Sequence, residues 1–176
     1  MESPVHVRAV REQELPDLLA LLKAKAAFDG AASSLVADVE TLRKALFSRK
    51  PVAKALVAVS EDAIVGMATY YGIFSSFIAK PGLWLDDLFV YESHRSKGAG
   101  RALMEHLCKI AHKEGCGRVD WVVAADNTSG KDFYARLGAS IFDSIHLARL
   151  DETAIKAVVI KTSNNSLKPN PLRGTA

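Results

Sequence analysis

The chain has 176 residues, 49% of them apolar and 24% charged, which suits one globular domain that folds without disulfides or a metal. Lys and Arg number 23 and Asp and Glu 20, and a net charge of +3 is too small to mark a nucleic-acid binder. No apolar run approaches the roughly 18–20 residues of a membrane span, and the opening MESPVHVRAV has no apolar signal core.

Val5–Val10 alternates around His6 and Arg8 and predicts a short strand. From Glu14 to about Ala27, Leu15, Leu18, Leu19 and Leu22 recur at the spacing of an amphipathic helix. Asp29 to Ser34 breaks it. A second helix is expected over Ser34–Ser48, with Val39, Leu42 and Leu46 inward, closed by Lys50-Pro51. Lys54–Ser60 and Ala63–Tyr71 read as a hairpin around Glu61-Asp62. Pro81-Gly82 predicts another turn, and Leu83–Tyr91 the next strand.

A polar loop over 92–98 leads into a helix from Ala99 to Glu114. Its last turn carries Lys109, His112 and Lys113, where the helix dipole favours cations, and Gly115 follows. Arg118–Ala125 is expected to be a buried strand and Asn127–Leu137 a short helix ended by Gly138. Ser140–Phe142 and His146–Leu150 are expected to form a final hairpin. Asp151 caps a last helix to Ile160. The order β-α-α-β-β-β-α-β-α-β-β is an α/β arrangement with a βαβ unit in its middle. Residues 1–160 form the expected domain, and 161–176, with two prolines and no acid, read as a disordered tail.

The strand Leu83–Val90 feeds Arg95-Ser96-Lys97-Gly98-Ala99-Gly100-Arg101, which opens directly into a helix. Free N–H groups, two glycines and three cations make this an anion site, and a diphosphate is its natural guest. The P-loop string is absent. The dinucleotide fingerprint fails because Gly98 lies eight residues beyond Val90 and position 103 is Leu.

Arg95-x-x-Gly98-x-Gly100 after a strand, followed by a βα unit with Asn127 and Phe133-Tyr134, resembles the GNAT superfamily of acetyl-CoA-dependent N-acetyltransferases. The likeness runs from about Val5 to Leu150. The strings Leu85-Asp86-Asp87-Leu88-Phe89-Val90 and Asp132–Ala139 resemble the spermidine/spermine (diamine) acetyltransferases more closely.

That resemblance implies a mixed, mostly antiparallel sheet flanked by helices, with central strands splayed to hold CoA. Arg95, Ser96, Lys97, Gly98, Ala99, Gly100 and Arg101 would hold the diphosphate. Backbone of Leu88, Phe89 and Val90 would pair with the pantetheine arm. Asn127, Ser129, Gly130 and Tyr134 would line the cofactor from the far side. It also implies a homodimer; the charge, the apolar runs and the histidine spacing lead to the expectation of no nucleic acid, membrane or metal as partner.

The chemistry needs two proton transfers. An amine of pKa about 10 must lose a proton before it attacks a thioester, and the departing thiolate must gain one. Tyr134 is the candidate acid. Asp86, where the diamine enzymes carry Glu, is the candidate base through a water. Asp86 and Asp87 fall on opposite faces of a regular strand, unless a bulge intervenes. Asp29 aligns with an acid that holds polyamines, and with Asp86 and Asp87 makes up the expected acceptor site. Phe74-Ser75-Ser76-Phe77 lacks the acid those enzymes carry, which points to a shorter or less charged amine. A diamine, a lysine analogue or an amino acid fits. A protein or peptide acetyltransferase and a CoA-sensing module are the alternatives.

His94, His106 and His112 form no metal motif. Cys108 is expected in the core and Cys116 in a turn; with no CxxC pair, a reduced, cytoplasmic protein is expected. Lys161, Lys168 and Arg173 account for the whole net charge, leaving residues 1–160 with 20 basic and 20 acidic side chains.

Overall fold

The computed structural model describes residues 4–166, which divide into two compact units, 4–122 and 123–166. The first unit holds a five-stranded sheet in the order β1-β2-β3-β4-β5. Its strands are β1 (His6–Ala9), β2 (Lys54–Ser60), β3 (Ala63–Ser75), β4 (Lys80–Val90) and β5 (Val119–Asp120). The first four pair antiparallel in sequence, and β5 joins β4 in parallel. Helices α1 (Leu15–Phe28), α2 (Val39–Phe47) and α3 (Ala99–Lys113) complete the unit. The expected mixed, mostly antiparallel α/β architecture is what forms.

β2 reads Ala-Leu-Val-Ala-Val without a polar break because both of its faces are covered, and Ala55 through Val59 are all buried. Ala55, Val57 and Val59 join Leu15, Leu18 and Leu21 of α1 with Met67 and Phe89 in one core, and Val39, Leu42 and Leu46 of α2 pack against it. Helix α3 contacts the sheet through a stripe of Ala99, Leu103, Met104, Leu107 and Ala111. Cys108 lies off that stripe and is exposed, so it is not the core residue expected. It stands one residue beyond Leu107, and successive helix residues point about 100° apart.

Two helix boundaries carry local chemistry. Helix α1 ends in a Schellman motif: Gly30, at φ +67°, donates to the carbonyl of Ala27, and Ala31 donates to that of Ala26. Helix α2 starts at Val39 rather than at Ser34. Asp38 accepts from the Thr41 amide at 2.7 Å, and Thr41 Oγ1 accepts from the Asp38 amide at 2.9 Å. This reciprocal cap satisfies two backbone groups at once at Asp38, and Ala32–Ser34 forms a separate tight turn before it.

The hairpin of β3 and β4 is longer than its sequence predicts. Pro81 and Gly82 lie inside β4, opposite Phe74 and Ile73, and the reversal falls at residues 76–79, with Ala79 at φ +49°. A proline second in its strand loses one ladder donor at most. Gly82 packs closely, since a Cβ there would lie 3.2 Å from the Arg118 carbonyl oxygen and its neighbours would have to give by a few tenths of an ångström.

The strand expected over Arg118–Ala125 is short. β5 pairs with β4 only at Leu83 and Trp84, and the ladder stops after Asp120. From Leu85 to Val90, no described strand flanks β4 on that side.

In the second unit, α4 (Thr128–Arg136) is capped by Asn127 and closed by Gly138 at φ +87°, close to the expected limits. The hairpin expected from Ser140 to Leu150 does not form. Asp143 and Ser144 do turn, but no strand lies on either side, and Ile141, Phe142, Ile145 and Leu147 are exposed. Alternation alone does not make a strand without a ladder partner. Asp151 caps α5 (Glu152–Ser166) as expected, accepting from the Ala154 amide at 2.8 Å, and the helix passes the expected end at Ile160. The rest of the expected tail, 167–176, lies outside the described residues. No described helix is long and apolar enough to cross a membrane.

Candidate active site

The pairing of β3 with β4 slips at one point. Thr69 faces Asp87 and Tyr70 faces Leu85, so Asp86 is the extra residue of a β-bulge. The two adjacent acids therefore meet different surroundings. Asp87 is largely covered. Its Oδ2 accepts from Thr69 Oγ1 at 3.0 Å, and its Oδ1 lies 3.1 Å from Lys25 Nζ. Asp86 is exposed, and its negative charge reaches the phenol of Tyr71. Burial first, and then that charge, raises the Tyr71 pKa above its ordinary value. Tyr71 in turn stacks on Trp84 at 6.5 Å.

Asp29 stands at the C-cap of α1, held there by the Schellman turn. Lys25 Nζ donates to its Oδ2 at 2.5 Å. Asp29 and Asp87, two of the three acids expected to bind the acceptor, thus converge on one ammonium. Burial works against that ammonium, but the hydrogen bonds and charges of Asp29 and Asp87 outweigh it, and its pKa is raised. Lys25 escaped the sequence reasoning. The signal available was its i,i+4 spacing to Asp29.

The loop after β4 turns sharply into α3. A short turn over Glu92–His94 is followed by Ser96 at φ +61° and by Gly98 at φ +86°, the N-cap of α3. The first helical bond is donated by Ala102 to the Gly98 carbonyl. The amides of Ala99, Gly100 and Arg101 precede it and have no partner within the helix. Space beside Gly98 is open: a Cβ built there would meet no heavy atom within 4 Å.

The motif's cations are employed differently from one another. Arg95 turns back, donating from Nε to the Val90 carbonyl at 3.0 Å with its guanidinium 4.5 Å from the Phe28 ring centre. Arg101 pairs with Glu105 at 2.8 Å along the helix surface. Lys97 is exposed and lines a pocket of about 190 Å³ with Ser60, Glu61 and His94. Leu88 is half-buried. Phe89 puts its ring in the core against Phe28 and Tyr91, so only its backbone is available to a ligand.

In the second unit Asn127, Ser129 and Gly130 form one cluster. Asn127 Oδ1 accepts from the Gly130 amide at 2.9 Å and from Ser129 Oγ at 3.3 Å. A Cβ at residue 130 would fall 2.7 Å from the Asn127 amide nitrogen, which explains the glycine. Tyr134, half-buried on α4, packs its ring 5.1 Å from Phe133.

From Leu85 to Val90 β4 has no described strand on one side, and the free amides at the start of α3 follow it in the chain. The family model of the acetyltransferase (GNAT) family matches residues 20–139. The chain belongs to the GNAT acetyltransferase family. Among curated GNAT-related proteins, it is 34% identical over 100 residues to L-ornithine N5-acetyltransferase of Arabidopsis thaliana, a match covering 57% of this chain and 44% of that enzyme. The chain therefore spans under half the length of that relative. Thialysine N-epsilon-acetyltransferase of Mus musculus is 26% identical over 141 residues, covering 76% of this chain and 82% of the mouse enzyme. Among solved structures, an integron cassette protein of V. cholerae superposes with a TM-score of 0.72 at 28% identity. It covers 88% of this chain and 97% of its own.

Proposed function

We propose that the protein transfers the acetyl group of acetyl-CoA to a primary amine of a small molecule, of diamine, polyamine or lysine-like type. The observation that carries this reading is the bulge that presents Asp86 to solvent while Asp87 is held by Lys25 and Thr69. The relatives named for ornithine and thialysine acetylation support the acceptor class.

The residues suit the cofactor. The amides of Ala99, Gly100 and Arg101 at the start of α3 would receive the diphosphate, with Ser96, Lys97 and Gly98 shaping the approach. The side of β4 with no described strand would take the pantetheine arm as an added strand along Leu88, Phe89 and Val90, where Arg95 already holds the Val90 carbonyl. The family resemblance also assigns Asn127, Ser129 and Gly130 to the cofactor. Bound there, acetyl-CoA supplies the thioester carbonyl.

Asp86 is the base. Through a water it removes the proton from the ammonium of the acceptor, and the freed nitrogen forms the N–C bond as the C–S bond breaks. Tyr134 is the acid and gives its phenolic proton to the leaving thiolate. Asp29, Asp86 and Asp87 supply the negative field that draws the amine in. A cytoplasmic homodimer completes the reading, and sedimentation of the purified chain tests its oligomeric part.

The deciding experiment is thiol release from acetyl-CoA with a panel of diamines, polyamines, ornithine, lysine analogues and peptides. Release with small amines and not with peptides is expected. Release with peptides alone would make this a peptide acetyltransferase. Tight CoA binding with no release from any amine would make it a CoA sensor.

A further inference from the structure

Lys25 sits three and four residues beyond Leu22 and Leu21, on the side of α1 that its leucines bury. A lysine at such a position requires counter-charges, because burying an unpaired ammonium is costly. It has two, Asp29 at 2.5 Å and Asp87 at 3.1 Å, and its side chain is 23% exposed. One ammonium and two carboxylates leave a single net negative charge where the acids alone would hold two. The ammonium also occupies the position between the two carboxylates that a second cation of an acceptor would otherwise take.

We infer that Lys25 is a specificity-determining residue: a built-in counter-ion that fills the acidic end of the acceptor site and selects against amines with additional positive charges. This rests on the proposed acetyl transfer to small amines and deepens it. An acceptor whose far end is neutral, or carries a carboxylate beside its second amine, meets no repulsion there. A polyamine must place its next ammonium against Lys25 or displace it, and like charges brought together in a partly buried site are strongly disfavoured.

The test compares putrescine, spermidine, spermine and ornithine as acceptors in the wild type and in Lys25→Met and Lys25→Arg. In the wild type, kcat/KM is expected not to rise as charges are added from putrescine to spermine. In Lys25→Met, the ratio of kcat/KM for spermidine over ornithine is expected to rise about tenfold or more. The gain should fall mainly in KM and shrink in high salt, because it is electrostatic. Lys25→Arg keeps the charge and is expected to keep the wild-type ratio. A purely structural tether would lower the melting temperature without moving the acceptor ratio.

An unchanged ratio in an active Lys25→Met overturns the inference and leaves the acetyltransferase reading standing. So does a wild-type efficiency that climbs with polyamine charge, a measurement that decides the matter if the variant fails to fold. Absence of thiol release from every amine overturns the acetyltransferase reading, and the inference falls with it.

Discussion

Lys25 Nζ lies 3.1 Å from Asp87 Oδ1, so one acid of the Asp86-Asp87 pair already has its cation. The neighbouring acid is presented to solvent by the bulge. Substitution should therefore separate the two. Asp86→Asn is expected to lower kcat at least tenfold, most at low pH where the amine is hardest to deprotonate, and to leave the melting temperature within about 1 °C. Asp87→Asn is expected to cost about 1–2 kcal/mol of stability, through the lost ion pair and the weakened bond from Thr69. Paired pH–rate profiles and thermal melts check this; a flat pH response in Asp86→Asn would count against its role as base.

Tyr134→Phe removes a hydroxyl and keeps the ring against Phe133. The expected result is a kcat reduced roughly ten- to a thousandfold with CoA affinity little changed. Steady-state kinetics beside calorimetric CoA titration measures both, and an unaltered kcat would remove Tyr134 as the acid.

Arg95 serves the strand end before any ligand arrives. Arg95→Ala frees the Val90 carbonyl and uncovers the Phe28 ring. A loss of about 1–2 kcal/mol in stability is expected, together with weaker CoA binding because the loop is less well fixed. Arg95→Lys cannot reproduce the planar stacking and should recover little of either. Chemical denaturation and CoA titration of the two variants give the answer.

Acid sensitivity should trace in part to Glu14. The Arg8 guanidinium bonds both of its oxygens, at 2.7 and 2.8 Å, and the Arg11 amide adds a third bond. The hydrogen bonds from Arg8 hold its pKa below the ordinary 4.5 against the opposing effect of burial. A lowered folded-state value means that the stabilisation is fully present above the unfolded value and is lost as pH falls through the folded one. Glu14→Gln is expected to cost about 1 kcal/mol at neutral pH and progressively less in acid. Denaturation midpoints at several pH values resolve this; a constant difference would contradict it.

Sequence and structure agree where a local rule and a global need coincide. Leu15 and Leu18 of α1, the capping of α5 by Asp151 and the Gly-rich entry to α3 are legible, because periodicity and capping are local, whereas the core takes Leu21 where the spacing predicts Leu19. Pro81-Gly82 misled because turn chemistry was read without the partner strand, whose length carries the hairpin on to residues 76–79. The segment Ser140–Leu150 misled for the opposite reason: its alternation had no partner to satisfy. In the site, the acids and the anion loop could be named from sequence. That Asp87 is the one Lys25 pairs with could not, since that depends on a one-residue slip in register and on a lysine some sixty positions away.

The side of β4 that β5 leaves after Trp84 has a consequence outside catalysis. On the side away from β3, β4 has no described strand from Leu85 onward, and although Arg95 holds the Val90 carbonyl, such an edge can pair with an extended chain, including another copy of this one. A ligand that lies along that edge competes with such association. It also favours the folded state by mass action, by about 2.7 kcal/mol at a hundredfold excess over its dissociation constant. The working lifetime of the protein would then follow the supply of its cofactor, and handling it without CoA would cost solubility before it cost activity.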